Sequence, residues 1–301
     1  MSAAHIVDFA ISFVLGLVMF GVGLSLSISD FARIVRYPRA FFSALAVQMI
    51  GLPLIAFGIN LLISPLPDEV KVGFIILSAS PGGATSGFLA YLWRANVALS
   101  LSITSVNSFL TLFTIPIITN LGLRVFLGRT TEFHLPIGDT MAHIFAIAII
   151  PALLGIWTHN QFPVTSERIS KPAKYIMMVL LGLVFIIKLS VGESSGGAGL
   201  SLHDFITITP FALIQNLFCL FLGYFVMKFM GLDHPSRLTA AMESGVQNTT
   251  LAFLIASTML HSQEMVKPAL IYSLYSFWTA CLFGYLSNKI AYRDQSTPPT
   301  E

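Results

Sequence analysis

One carboxylate in this sequence of 301 residues stands apart from the other acidic groups. Thirteen of the fourteen acidic residues lie in polar stretches or near the end of an apolar segment, whereas Glu243 lies deep inside one. A buried carboxylate is costly unless it is paired, and no Lys or Arg occurs at a comparable depth. A bound cation is therefore the natural partner of Glu243. A protonated Glu in a helix contact and a proton relay remain as alternatives.

Oxygen-bearing residues that suit a hard cation gather near two interruptions of the apolar pattern. The first interruption runs over residues 80–83, and the second is the polar run of residues 243–250. Hard cations take hydroxyl, amide, carboxylate and backbone carbonyl oxygens as ligands. Each hydroxyl taken singly is more commonly a helix packing residue, but the group as a whole predicts a sodium site. The candidates are Ser86, Ser100, Thr104, Glu243 and Gln247, with the carbonyls of Ser244 and Val246.

Nine apolar segments, each long enough to cross a bilayer, must position these groups. Apolar residues make up 55% of the chain and charged residues only 10%, far from the soluble norm. The predicted fold is therefore an all-α polytopic membrane protein, with a single transmembrane unit over residues 1–301. The predicted spans cover about residues 8–27, 38–63, 70–93, 97–127, 136–158, 173–192, 203–229, 236–260 and 265–291.

The two interruptions fall within the third and the eighth of these spans. In a bilayer, a broken helix is tolerated only where its freed backbone groups are buried in protein or line a cavity. Paired breaks in the two halves of a chain indicate a transporter site built on inverted repeats. The two spans are five apart, and an odd offset inverts orientation. Each follows a span that carries mid-membrane amides, Gln48 in one half and Gln215 with Asn216 in the other.

Charge distribution predicts the orientation and the class of partner. Eleven basic residues fall on one side of the predicted spans and five on the other, which places the N-terminus outside and the C-terminus in the cytoplasm. A net charge of +2 without a basic patch excludes nucleic acid as a partner. We therefore expect a monomeric, multi-pass protein of the plasma (inner) membrane, surrounded by the lipid bilayer.

Both interrupted spans resemble the crossover regions of the bile acid:sodium symporter family. The run from Ser80 to Ser86, followed by residues 96–100, resembles the first crossover region, and residues 237–248 resemble the second. The likeness extends from about residue 15 to 290. It implies sodium-driven uptake of bile acids or other organic anions by alternating access. It also implies a panel domain of spans one, five and six beside a core domain of the other six, in which the two broken helices cross.

The resemblance also implies roles for individual residues, with two sodium ions as coupling ions. The first sodium site would be formed by Ser86, Ser100, Thr104 and Glu243, and the second by Gln48, Glu243, Ser244, Val246 and Gln247. The substrate would lie near Ala84, Thr85 and Asn248. The chain departs from the family pattern at Gly87, where an Asn would add an oxygen to the first site, and in the order of Ala84 and Thr85.

Three classes of function remain open at this point. A sodium-coupled organic anion symporter explains the breaks, the isolated Glu243 and the missing basic partner together. A carrier of the same superfold, driven by protons or handling an inorganic anion, would not need the amide oxygens of Gln48 and Gln247. An intramembrane enzyme would need a second carboxylate or a nucleophile with its base near Glu243, and the sequence supplies neither. We therefore expect a transporter and not an enzyme.

Overall fold

The fold is all-helical throughout the residues that the structure, a computed structural model, describes. These are residues 38–80, 82, 84–128, 150–166 and 200–296, with isolated residues between 13 and 24 and between 146 and 179. Residues 84, 109, 112, 152, 258 and 292–296 are described by their backbone alone. The predicted spans 8–27 and 173–192, and the first half of 136–158, lie almost entirely outside the described residues. The panel domain therefore stays a prediction.

Nine helices are defined by the described residues, and we number them in chain order. A five-residue π-helical segment, Val47–Gly51, lies within α1, and a second one, Ile255–Met259, directly follows α8. The helices are α1 (Pro38–Leu62), α2 (Asp68–Ser78), α3 (Ala84–Leu92), α4 (Val97–Phe126), α5 (Ile150–Gln161), α6 (Leu202–Phe229), α7 (His234–Gly245), α8 (Thr249–Leu254) and α9 (Gln263–Ser296).

Both predicted interruptions are present as breaks between helices. The third predicted span is divided into α2 and α3 by residues 79–83, and the eighth into α7 and α8 by residues 246–248. Pro81 has no backbone N–H to continue a helix, and the glycines beside it favour a non-helical backbone. The α8 helix begins with Asn248 as its N-cap, since the Asn248 Oδ1 accepts from the Leu251 N–H at 3.0 Å.

Three described helices, α1, α6 and α9, are each long and apolar enough to cross a membrane. The α4 helix also qualifies as a bent span, because Val97–Ser108 and Phe113–Phe126 meet at an angle of 66°. Large apolar side chains on these helices point outward and are exposed, including Leu54, Phe218 and Trp278. Such outward apolar faces suit lipid as the solvent. The chain is therefore a multi-pass membrane protein.

The α7 helix is largely enclosed within the described core. Its residues from Leu238 to Gly245 are all buried, although the helix is not apolar in composition. It packs closely on α6, where a Cβ atom added at Gly223 would lie only 2.5 Å from the Ala240 carbonyl oxygen. Glycine at position 223 is thus required for this close approach. The contact holds the last turn of α7, with Glu243, in the interior.

Candidate functional site

Three hydroxyl groups surround the carboxylate of Glu243, which is fully buried. Ser86 on α3 and Ser100 on α4 donate hydrogen bonds to Glu243 Oε1 at 2.7 and 2.5 Å. Thr104, one turn further along α4, donates to Oε2 at 3.0 Å. Residues that are 157, 143 and 139 positions from Glu243 in sequence thus meet at one group. The structure brings together all four side chains that the sequence assigned to the first site.

Gly82 allows this arrangement by leaving space beside the carboxylate. A Cβ atom at position 82 would lie 2.5 Å from Glu243 Oε2 and 2.9 Å from the Glu243 carbonyl oxygen. The backbone of the first break therefore passes directly over the carboxylate, and only glycine permits that distance. The sequence had marked Gly82 as a helix breaker and not as a contact of Glu243.

The two breaks are joined to each other by a backbone hydrogen bond. The Asn248 N–H would bond the Ser244 carbonyl in a continuous helix, but it donates to the Ser80 carbonyl at 2.9 Å. A second link lies near the start of α4, where Thr239 Oγ1 accepts from the Asn96 N–H at 2.9 Å. Each break is therefore stabilised by the other half of the molecule, and the Ser244 carbonyl loses its helical partner.

The side chains assigned to the second sodium site are buried and short of partners. Gln48 lies in the π-helical segment of α1 and close to the Glu243 carboxylate, but its amide makes no well-formed hydrogen bond within the described part of the chain. In the described part of the chain, no hydrogen bond is made by Gln48 Oε1, Gln247 Oε1 or Ser244 Oγ. The Gln247 Nε2 approaches Cys219 Sγ at 3.6 Å. Buried acceptors without a donor are uncommon and suit a cation.

The carbonyl of Gly245, at the end of α7, is held by two buried side chains. Asn216 Nδ2 on α6 and the Tyr272 hydroxyl on α9 both donate to it at 2.7 Å. Asn216 Nδ2 also lies 2.8 Å from the Tyr272 hydroxyl, and Thr279 donates to Asn216 Oδ1 at 2.6 Å. This network fixes the end of α7 and leaves the neighbouring carbonyls of Ser244 and Val246 for other partners. Tyr272 was not foreseen from the sequence.

The residues expected near the substrate are more accessible than those around Glu243. Thr85, in the first turn of α3, is exposed, and Asn248 is half-buried at the start of α8. The backbone of Ala84 begins α3. Gly87 is half-buried, and a Cβ atom there would lie 3.6 Å from Ser100 Oγ, which is an ordinary contact. A larger side chain at position 87 would therefore start beside the first site.

The charge balance of the site determines what it can hold. Glu243 makes no ion pair with any described basic residue. The part of the chain that the structure describes also contains no group of three or more His, Cys, Asp or Glu residues placed to hold a metal. One carboxylate with hydroxyl, amide and carbonyl oxygens is poorly suited to zinc or copper. It matches a hard monovalent cation such as sodium.

Comparison with known proteins agrees with this chemistry. Residues 12–195 match a family model that is described as "Sodium Bile acid symporter family". An uncharacterized sodium-dependent transporter of Bacillus subtilis (strain 168), YocS, is 28% identical over 93% of this chain and 84% of its own length. The ileal sodium/bile acid cotransporter of Oryctolagus cuniculus is 25% identical over 94% of this chain and 79% of its own length. A probable chloroplastic sodium/metabolite cotransporter of Oryza sativa subsp. japonica, BASS2, is 27% identical over 85% of this chain and 58% of its own length.

Proposed function

The chain belongs to the sodium bile acid symporter family, and we propose that it is a sodium-coupled symporter of a small organic anion. Family membership supports transport across a membrane coupled to sodium. The identity of the coupling site in this chain rests on one observation. Glu243 is fully buried against three hydroxyls, with no described basic side chain to balance its charge.

The first sodium site uses Ser86, Ser100, Thr104 and Glu243. Each hydroxyl donates a hydrogen bond to the carboxylate and keeps lone pairs that can face a cation. A sodium ion placed among them exchanges its water for these oxygens and neutralises the buried charge. Binding therefore removes the electrostatic cost of burying Glu243, which is several kcal/mol for an unpaired carboxylate in a membrane. This gain couples ion binding to closure of the two breaks around the site.

The second sodium site uses Gln48, Ser244, Val246 and Gln247, with Glu243 shared between the sites. Its amide and hydroxyl oxygens are buried without a donor, and the Ser244 carbonyl has lost its helical partner to the bond between Asn248 and Ser80. A sodium ion would satisfy all of these acceptors at once. Two ions entering with one monovalent anion carry one net positive charge, which gains about 2.3 kcal/mol per 100 mV of membrane potential.

The substrate binds where the two breaks expose the N-termini of α3 and α8. Free N–H groups and the helix dipole at such ends favour a carboxylate or another anion. Thr85 is exposed beside one of these ends, and Asn248 is half-buried at the other. Both positions adjoin the sodium sites through Ser86 and Gln247 in the chain. Ion binding that orders the breaks would therefore also order the substrate site.

Transport then follows from movement of the core helices against the panel helices, which exposes the site to each side in turn. We place the N-terminus outside and the C-terminus in the cytoplasm, according to the distribution of basic residues. Alternating exposure requires that the bound ions and the anion travel together. A core that moves only when both are bound prevents a leak of sodium.

Reconstitution into proteoliposomes tests this function. Radiolabelled carboxylates chosen from a thermal-shift screen should accumulate under an inward sodium gradient, and not when choline replaces sodium. Bile acids, keto acids and hydroxy acids make up the first panel. Uptake driven equally well by a proton gradient in sodium-free buffer would contradict sodium coupling. Transport of inorganic anions alone would contradict the substrate class.

A further inference from the structure

We propose that Asn107 on α4 marks an additional sodium station, one helical turn beyond Thr104, where an ion binds at equilibrium close to Glu243. The inference rests on the proposed sodium coupling and adds a residue to it. Asn107 is absent from both sets of site residues described above. The case combines its burial, its unsatisfied amide and its position on α4.

The side chain of Asn107 is an unsatisfied polar group in the interior. It is only 1% exposed, and neither Oδ1 nor Nδ2 has a hydrogen-bond partner in the described part of the chain. A buried amide without partners is strongly unfavourable, and native proteins rarely retain one without a ligand or an ordered water. Several other polar side chains of α4 are satisfied by a carbonyl of the same helix. Ser105, for example, donates to the Leu101 carbonyl at 2.7 Å.

The position of Asn107 places it on the face of α4 that approaches Glu243. Ser100, Thr104, Asn107 and Thr111 follow one another at intervals of four, three and four residues, which puts them in line on one side of a helix. At about 1.5 Å per residue, Asn107 is about 4.5 Å beyond Thr104 along the axis. Side-chain oxygens spaced like these two positions can share one ion at about 2.4 Å from each.

The bend of α4 begins just after this amide. The two straight parts of the helix meet at 66° between Ser108 and Phe113. Pro116 has no N–H to donate to the carbonyl of residue 112, which explains a bend at this point. The Thr114 Oγ1, just past the bend, is buried and also lacks a partner among the described residues. The carbonyl of residue 112 and the unsatisfied Thr114 oxygen thus lie about one and a half to two turns beyond Asn107.

These oxygens are all uncharged, which determines what they can hold. A divalent ion would need carboxylates, and no described cluster of acidic residues lies at the bend. A sodium ion can be held by neutral oxygens when the negative charge of Glu243 lies one turn away. The station at Asn107 is distinct from the part of the first sodium site that lies beside Gly87. A side chain at position 87 would start beside Ser100, seven residues before Asn107.

Sodium binding to the full-length protein, without any anion, tests the proposal. Thermal stability is titrated with NaCl at constant ionic strength in choline chloride, and the half-saturating sodium concentration is compared among variants. Asn107→Leu has nearly the same shape without the amide and should raise that concentration about tenfold, while the protein in choline is as stable as the parent. Asn107→Asp adds a negative charge and should lower the half-saturating sodium concentration. Ser105→Ala, a buried and locally satisfied position on the same helix, should leave it unchanged.

Each outcome separates the station from a structural role and from the proposed function. If Asn107→Leu loses stability equally with and without sodium, and its half-saturating concentration matches the parent, Asn107 holds only a water or a packing contact. An unchanged concentration in Asn107→Asp overturns the station even if the Leu variant fails to fold. Glu243→Gln serves as the reference for the proposed function. If it keeps the full response to sodium, then sodium coupling itself is wrong.

Discussion

Gly82→Ala should weaken sodium binding sharply, because the new methyl group would collide with the carboxylate that we propose as the ligand of the ion. The added Cβ would lie 2.5 Å from Glu243 Oε2, so the carboxylate would have to move by about 0.9 Å to reach the 3.4 Å of an ordinary contact. It cannot do so freely, because it accepts hydrogen bonds from Ser86, Ser100 and Thr104. The backbone carbonyl of Glu243, 2.9 Å from the same Cβ, restricts movement of the break as well.

The size of the effect follows from the bonds that must be lost. A hydrogen bond to a charged group contributes about 1.5–3 kcal/mol, so the loss of one from the carboxylate corresponds to about a 10-fold to 150-fold change in affinity. The assay is the sodium titration of thermal stability described above. Gly87→Ala is the matched control, since its Cβ would make only an ordinary contact, 3.6 Å from Ser100 Oγ. Equal sodium affinities for the two alanine variants would refute the placement of the ion beside Glu243.

Three other outcomes are expected from the same geometry. Gly87→Asn should increase the apparent sodium affinity of transport, because its amide would start beside Ser100. Two coupling ions would be contradicted if transport by the parent chain is electroneutral and first order in sodium, and the substitution changes neither property. Tyr272→Phe should lower sodium affinity about tenfold with little loss of folding stability, because Asn216 still holds the end of α7. An equal loss of thermal stability with and without sodium would point to a packing role alone. Cysteines placed beside Thr85 and Asn248 should change their labelling by a membrane-impermeant reagent when sodium is added, and identical labelling would count against alternating access.

Glu243 could be singled out from the sequence because the pattern that marks it is local. An acidic residue in the middle of an apolar span is rare enough to stand out, and the residues that break the helix are visible in Pro81 and the glycines beside it. The three hydroxyls were found for a similar reason, since they follow the first break at short intervals. The family resemblance then added Gln48, which lies far from both breaks in sequence.

Contacts that depend on how helices cross could not be found in this way. Tyr272 occurs in an apolar segment with other aromatic residues, and nothing local distinguishes a tyrosine that caps a carbonyl from one that packs against lipid. The bond between Asn248 and Ser80 requires two breaks, 168 residues apart, to meet at one depth. Local helix geometry was also missed, including the π-helical segment that contains Gln48 and the bend of α4.

Direct binding of radiolabelled sodium to purified Glu243→Gln protein tests the central claim without any knowledge of the substrate. The substitution keeps the shape of the side chain and removes its charge, so the folded protein should lose saturable sodium binding that the parent chain shows. Folding of the variant is checked by its elution as a single species and by its thermal stability in choline. Sodium binding by Glu243→Gln with the affinity of the parent chain would contradict the assignment of Glu243 as the shared ligand of the coupling ions.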